Sequence, residues 1–354
     1  MPEIILRNLQ NHFKGLLSAI EPSDSRRALV ASQAGNVREF LQAYAFETAT
    51  PHTRLSGSYG RQTAIGAIRD VDVLVFVPQD ARDQLPNAVL AELRRTLETY
   101  PNASVEVAGQ RRSVRLTLLD HEIDLDLVPA FAAGKWDDML EVPDRPKQEW
   151  IRSNPLGYAG RLSDLNQANG GKVVRLVKLW KAWRDEQMQV GRPKSYMLEV
   201  MLFRAVDSGK LDLTGLSMEA CMRESLVYVA EAYDALFESE SGVPRILDPE
   251  TNTCVSVNWT RVDFETFVRR VREARRAAEL ARQADTIDDA SAEWIKVFGS
   301  RLWPSDDAVR KAVAAEAAAV QPGRAVISSV GIVSPSGMAG TVTRPTRFYG
   351  RCPD

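Results

Sequence analysis

Two short segments constrain this chain more than anything else in its 354 residues: Asp70-Val-Asp-Val-Leu-Val-Phe-Val77 and Glu122-Ile-Asp-Leu-Asp-Leu-Val-Pro129. Side chains alternate across a β-strand, so Asp70 and Asp72 share one face while Val71, Val73, Val75 and Val77 line the other. The second segment sets Glu122, Asp124 and Asp126 against Ile123, Leu125 and Leu127 in the same way. Laid side by side, the two strands gather three to five carboxylates. Such a gathering is repulsive without cations, and it suits hard divalent ions that take oxygen ligands and share them with phosphates. An exposed sheet face would account for Glu122 and Asp124. Asp126 is therefore the expected third metal ligand beside Asp70 and Asp72.

Upstream lies Gly57-Ser-Tyr-Gly-Arg-Gln-Thr-Ala-Ile65. Gly57 lets the backbone approach a triphosphate, and Ser58 offers a hydroxyl and an amide donor at the same place. Glycine-serine, then basic, then acidic residues is the order that phosphoryl chemistry requires. A plain hairpin edge with solvated acids leaves that order unexplained.

Apolar residues at Ile5, Leu6, Leu9, Phe13, Leu16, Leu17 and Ile20 predict a helix, which Glu21-Pro-Ser-Asp-Ser25 interrupts. A second helix through Leu29, Val37, Phe40, Leu41 and Tyr44 forms a spine before the glycine-serine loop. A helix over 86–100 and strands over 104–107, 113–119 and 122–128 complete an α+β lobe rather than a doubly wound sheet. After Pro129 the chain is expected to pass through a loop over 134–147 and become mainly helical.

On the helix from Gly171, Val173, Leu176, Val177, Trp180 and Trp183 form a buried stripe, with Lys178 and Lys181 on a flank. Spacing alone makes that flank a solvated face as readily as a functional one. Gly191-Arg-Pro-Lys-Ser-Tyr196 is a turn leading into another apolar helix, with Ser195 a candidate N-cap. A capping box is absent, since Leu198 stands three residues on and Glu199 one residue too late. The arginines of 261–276 alternate with apolar residues, but Asp263, Glu265 and Glu273 dilute them and favour a solvated face.

The net charge of −2, from 45 basic and 47 acidic residues, gives no global reason to bind long nucleic acid. Cys221, Cys254 and Cys352 are dispersed and odd in number, as are His12, His52 and His121, so neither a disulfide framework nor a cysteine-based zinc site is expected. No uncharged run approaches the ~18–20 apolar residues of a membrane span. Met1-Pro-Glu-Ile-Ile-Leu-Arg lacks a signal pattern, so a cytoplasmic protein is expected. Residues 306–320 are alanine-rich and helix-forming. The glycine-, proline- and serine-rich tail over 321–354 is expected to be flexible or to fold on contact.

Gly57-Ser58 with Arg61, Thr63 and Ile65, Asp70-x-Asp72, and Asp126-Leu-Val-Pro-Ala-Phe131 together resemble nucleotidyltransferases related to cyclic GMP-AMP synthase and oligoadenylate synthase. The bacterial branch is the nearest match: the CD-NTases of cyclic-oligonucleotide antiphage signalling. The resemblance continues in Trp150-Ile-Arg-Ser-Asn-Pro155, Leu176-Val-Lys-Leu-Trp-Lys-Ala-Trp183, Lys194-Ser-Tyr-Met-Leu-Glu199, Asp248-Pro249 and Trp294-Ile-Lys-Val-Phe-Gly299, spanning roughly residues 1–304.

The resemblance implies a polymerase β-like catalytic lobe with a mixed sheet and spine helix over 1–133. It also implies a helical second lobe over 134–304, with a C-terminal helix and tail over 305–354. Asp70, Asp72 and Asp126 would bind two Mg²⁺ or Mn²⁺ ions. Gly57, Ser58, Lys178 and Ser195 would meet the triphosphate, and Tyr196 would stack on a base. Nucleoside triphosphates would be the substrates of a cyclic di- or trinucleotide synthase. The dispersed cysteines and histidines depart from animal members that grip DNA through a zinc-bearing insertion, so no double-stranded DNA activator is expected. The tail is the expected docking segment for regulatory protein partners. A linear nucleotidyltransferase acting on an RNA end or small acceptor shares the glycine-serine and Asp-x-Asp parts. A silent nucleotide-binding scaffold would have lost a metal-binding acid, and none of the three is missing.

Overall fold

The computed structural model describes residues 9–44, 53–77, 82–106, 110–132, 139–239, 242–319, 325–327 and 333–335. Two helices come first, α1 (Gln10–Ile20) and α2 (Asp24–Tyr44). They are followed by β1 (Thr53–Leu55), a single-turn α3 (Gly57–Gly60), β2 (Asp70–Phe76), α4 (Pro86–Leu97), β3 (Ala103–Glu106), β4 (Val114–Leu118) and β5 (Ile123–Ala132). The strands lie in the order β1-β2-β5-β4-β3. β2 and β5 run parallel and the other neighbours among the described strands antiparallel, so the sheet is mixed.

Register follows from the alternation in the two acidic strands. Asp70 stands opposite Asp124, and Asp72 opposite Asp126. A slip of one residue would turn the valines and leucines to solvent and the carboxylates into the core. The apolar face packs under α2 and α4, where Val71, Val73, Leu125 and Leu127 meet Val37, Leu41, Val89 and Leu93. That packing holds the acidic face outward.

The strand set extends further than expected. Within the predicted loop, β6 (Leu140–Asp144) pairs with the end of β5 and with β7 (Glu149–Ser153). Pro143 argues against a strand in sequence, because it cannot donate to a ladder. Here it pairs with Trp150, in a short two-stranded extension.

The remaining helices are α5 (Pro155–Ala168), α6 (Lys172–Gln187), α7 (Ser195–Asp207), α8 (Met218–Glu238), α9 (Arg261–Gln283), α10 (Ile287–Phe298) and α11 (Asp306–Ala319). α5–α10 surround a second core, and α1 belongs to it. Phe13 meets Trp294, Phe298 and Trp303 edge-on, at 4.9, 6.1 and 5.2 Å between ring centres. The first two helices therefore serve different cores, α2 the sheet and α1 the helices. The turn between them is pinned where the Gly66 N–H donates to the Ile20 carbonyl.

The arginines of α9 are mostly paired. Arg272 bonds Asp234 and Glu238, Arg275 bonds Glu231, and Arg270 bonds Glu273. Of the tail, two short strands, β8 (Ala325–Ile327) and β9 (Val333–Pro335), pair antiparallel, and the rest lies outside the described residues. Among the described residues no helix is long and apolar enough to cross a membrane.

Candidate active site

Asp70, Asp72, Asp124 and Asp126 form a strip on the outer face of β2 and β5. Arg115 on β4 stands opposite Asp126 and reaches across them. Its Nε and Nη2 donate to the two oxygens of Asp126 at 3.0 and 2.8 Å. The same guanidinium lies 3.3 Å from Asp70 and 3.6 Å from Asp124. Thr117 Oγ1, two residues along β4, donates to Asp124 at 2.7 Å. The hydrogen bonds to Asp126 raise the proton affinity of Arg115, so it stays cationic at all relevant pH.

Asp72 makes no contact with Arg115. Solvent reaches it, yet protein surrounds it on most sides. That desolvation first, and the charge of Asp126 second, push its carboxyl above the ordinary aspartate value.

Gly57 closes on the same carboxylate. Its φ of +61° is in the left-handed region, and a Cβ there would fall 1.7 Å from Asp72 Oδ2. Only glycine allows the first turn of α3 to sit against Asp72. The Ser56 N–H donates to the Asp72 carbonyl at 2.8 Å and anchors that turn to β2.

An all-oxygen donor set with excess negative charge suits a hard divalent cation. In this arrangement no group of three His, Cys, Asp or Glu among the described residues forms a ready cation cage, and Arg115 is paired with three of the carboxylates. The donor chemistry fits a divalent ion, while the side chains are posed around a guanidinium.

A second charge cluster, unforeseen in sequence, joins the loop after α3 to the helices. Glu199 on α7 is fully buried and accepts from Arg61 Nε at 2.7 Å, Thr63 Oγ1 at 2.7 Å and Lys181 Nζ at 2.6 Å. Lys181 also donates to the carbonyl and hydroxyl of Thr63 at 2.8 and 3.1 Å. All three protons of an ammonium are thereby used, and the pair is ionic. Burial pushes the Glu199 carboxyl up, but Arg61 and Lys181 outweigh it and hold the group at about 2. The Arg61 guanidinium lies 5.5 Å from the Tyr158 ring centre and 5.3 Å from that of Tyr196. A lone acid in the apolar run Met197-Leu-Glu-Val-Met-Leu-Phe203 was the available signal, as was Arg115 on the polar face of Val114–Leu118.

The other expected site residues are held as follows. Lys178 is buried rather than solvated, and its ammonium donates to Glu21 Oε1 at 2.7 Å at the turn between α1 and α2. Lys181 is likewise buried rather than on a solvated flank. Ser195 is not the N-cap of α7. Lys194 holds that position, and Ser195 Oγ accepts from Arg184 Nη1 at 3.0 Å. Tyr196 donates its hydroxyl to Asp248 Oδ2 at 2.6 Å and packs edge-on against Tyr158. Ser58 uses its carbonyl to accept from the Thr63 and Ala64 N–H groups. Gly57, Asp70, Asp72 and Asp126 thus come together directly, and Tyr196 joins the α3 loop through Arg61. No hydrogen bond among the described residues joins Lys178 or Ser195 to the aspartates.

A mixed sheet with paired acids on two parallel strands, a glycine-serine turn against them and a helical lobe define the nucleotidyltransferase fold. A family model for the Second Messenger Oligonucleotide or Dinucleotide Synthetase domain matches residues 8–166. A cyclic AMP-AMP-AMP synthase of Acinetobacter sp. is 30% identical over 308 residues, covering 83% of this chain and 85% of the relative. Among solved structures, the Bradyrhizobium diazoefficiens CD-NTase CdnG in complex with GTP aligns with a TM-score of 0.66 at 17% identity, over 87% of this chain and 98% of that one. The E. coli MS115-1 CdnC:HORMA-deltaN complex aligns at 0.65 and 18%, over 82% and 96%. The chain belongs to the CD-NTase family of nucleotidyltransferases, the cyclic-oligonucleotide synthases.

Proposed function

We propose that this chain joins nucleoside triphosphates into a cyclic di- or trinucleotide second messenger for antiphage signalling. A ribose hydroxyl on one nucleotide attacks the α-phosphate of another. The bond from that phosphorus to the bridging oxygen breaks, pyrophosphate leaves, and the hydroxyl proton passes to Asp126 or solvent. A final transfer within the chain of nucleotides closes the ring. Two Mg²⁺ or Mn²⁺ ions held by Asp70, Asp72 and Asp126 would neutralise charge on the attacking and leaving oxygens.

Gly57 and Ser58 offer the α3 turn to the triphosphate, with Lys178 and Ser195 meeting it from the helical side and Tyr196 offering a ring face to a base. Residues 1–133 act as the catalytic lobe, 134–304 as the lobe that closes on the nucleotide, and 305–354 as an appendage. A regulatory protein would engage through the tail beyond residue 320. A relative that makes cyclic AMP-AMP-AMP makes ATP the first substrate to test.

The single observation that carries this function is the register of Asp72 against Asp126, with Gly57 closed on Asp72. Purified protein given all four ribonucleoside triphosphates with Mg²⁺ or Mn²⁺ is expected to yield a phosphatase-resistant product, identified by mass spectrometry. The double variant Asp70→Asn/Asp72→Asn is expected to fold and make none. Undiminished synthesis by that variant would refute the assignment, and a phosphatase-sensitive product would mark a linear transferase.

A further inference from the structure

We infer that Arg115 is a resident counter-cation of the aspartate strip, which occupies Asp126 in the ion's place and is drawn off it when a divalent ion binds. Register places Arg115 directly across from Asp126, and its fork takes both oxygens of that carboxylate. The same guanidinium approaches Asp124 on β5 and, across that strand, Asp70 on β2. One positive charge thus spans three carboxylates from two strands.

A bidentate fork on Asp126 and an ion taking Asp126 as an inner ligand compete for the same lone pairs. Arg115 also gives way readily. The fork itself is partly open to water, the Arg115 side chain being 25% and that of Asp126 15% exposed, and Asp70 beside it is 68% exposed, so the separated groups can be hydrated. The strip is undercompensated as it stands, because one guanidinium pairs with three of its four aspartates and makes no ion pair with Asp72. Arg115 therefore lowers the repulsion enough for the strip to fold, and leaves enough negative charge to draw a stronger cation in.

A purely structural salt bridge would behave oppositely on removal. Losing it would loosen the aspartates and weaken ion binding. Losing a competing cation tightens it.

The inference rests on the aspartates being the ion ligands, as proposed above, and the experiment separates the two. The full-length, nucleotide-free protein is titrated with Mn²⁺ while free Mn²⁺ is followed by its electron paramagnetic resonance signal. Arg115→Leu is expected to bind Mn²⁺ more tightly than the wild type, by up to about fivefold, the upper end of what a solvent-accessible ion pair supplies. Arg115→Lys, which keeps the charge but not the fork, is expected between the two. Unchanged or weaker binding by Arg115→Leu overturns the inference. If that variant does not fold, Arg115→Lys decides by the same criterion. Mn²⁺ binding that survives Asp72→Asn combined with Asp126→Asn would instead show that the ligand assignment itself is wrong.

Discussion

The aspartate strip and the Glu199 cluster are built from the same kinds of charge, yet solvent makes them opposite in character. Arg115 meets its acids on the outer sheet face, where side-chain exposure runs from 15% at Asp126 and 25% at Arg115 to 68% at Asp70. Glu199 meets Arg61 and Lys181 between the two cores, with side-chain exposures of 0, 8 and 2%. Where water can replace a partner, a charge pair is exchangeable and available for binding. Where it cannot, the pair is permanent, and it fixes the α3 loop to α6 and α7.

The largest effect should come from the dry cluster. Glu199→Ala leaves two cations buried without their anion and is expected to cost about 3–5 kcal/mol, seen as a lower urea midpoint. A loss under about 1 kcal/mol would mean water enters there, and the contrast would fail. Next is Asp72→Asn, which is expected to abolish nucleotide transfer while leaving thermal stability unchanged or slightly higher. Its charge is disfavoured in the fold by crowding and by Asp126. A pronounced drop in melting temperature would give Asp72 a structural task instead.

Acid titration sharpens the comparison further. Glu199 lies at about 2 in the fold against an ordinary 4.5, so its contribution is complete above about 4.5 and is lost as pH falls toward 2. Asp72 works with the opposite sign. Its folded proton affinity is raised, so its contribution to stability declines as pH rises through that elevated value. Melting temperatures from pH 2 to 5 are expected to fall less steeply toward acid in Glu199→Gln than in the wild type. The smallest effect belongs to Arg270→Ala, which breaks an exposed pair with Glu273 and is expected to shift stability by less than about 1 kcal/mol.

Much of the strip was legible because strand alternation is a local rule. Asp70, Asp72, Asp124 and Asp126 announce their face without knowledge of any neighbour, and the valines between them announce the other. The lysines were not legible in this way. Lys178 and Lys181 sit on one flank of α6, and nothing in their spacing reveals that Glu21 and Glu199, from distant segments, close over them. Ser195 invited an N-cap assignment on residue type, but the cap geometry fell to Lys194 and the hydroxyl to Arg184. Pro143 pointed away from the β6–β7 hairpin, because its missing N–H matters only if the position must donate to a ladder.

Sequence by itself determined the polar and apolar faces of each strand, the helical character of the second half, the glycine at position 57 and the family, since these follow from alternation, periodicity and motif order along one stretch of chain. Tertiary structure alone decided which acid faces which: Asp72 against Asp126, Arg115 across three carboxylates, and Glu199 between Arg61 and Lys181. Coulomb energy depends on distance and on access to water, and neither exists until segments far apart in sequence have packed together.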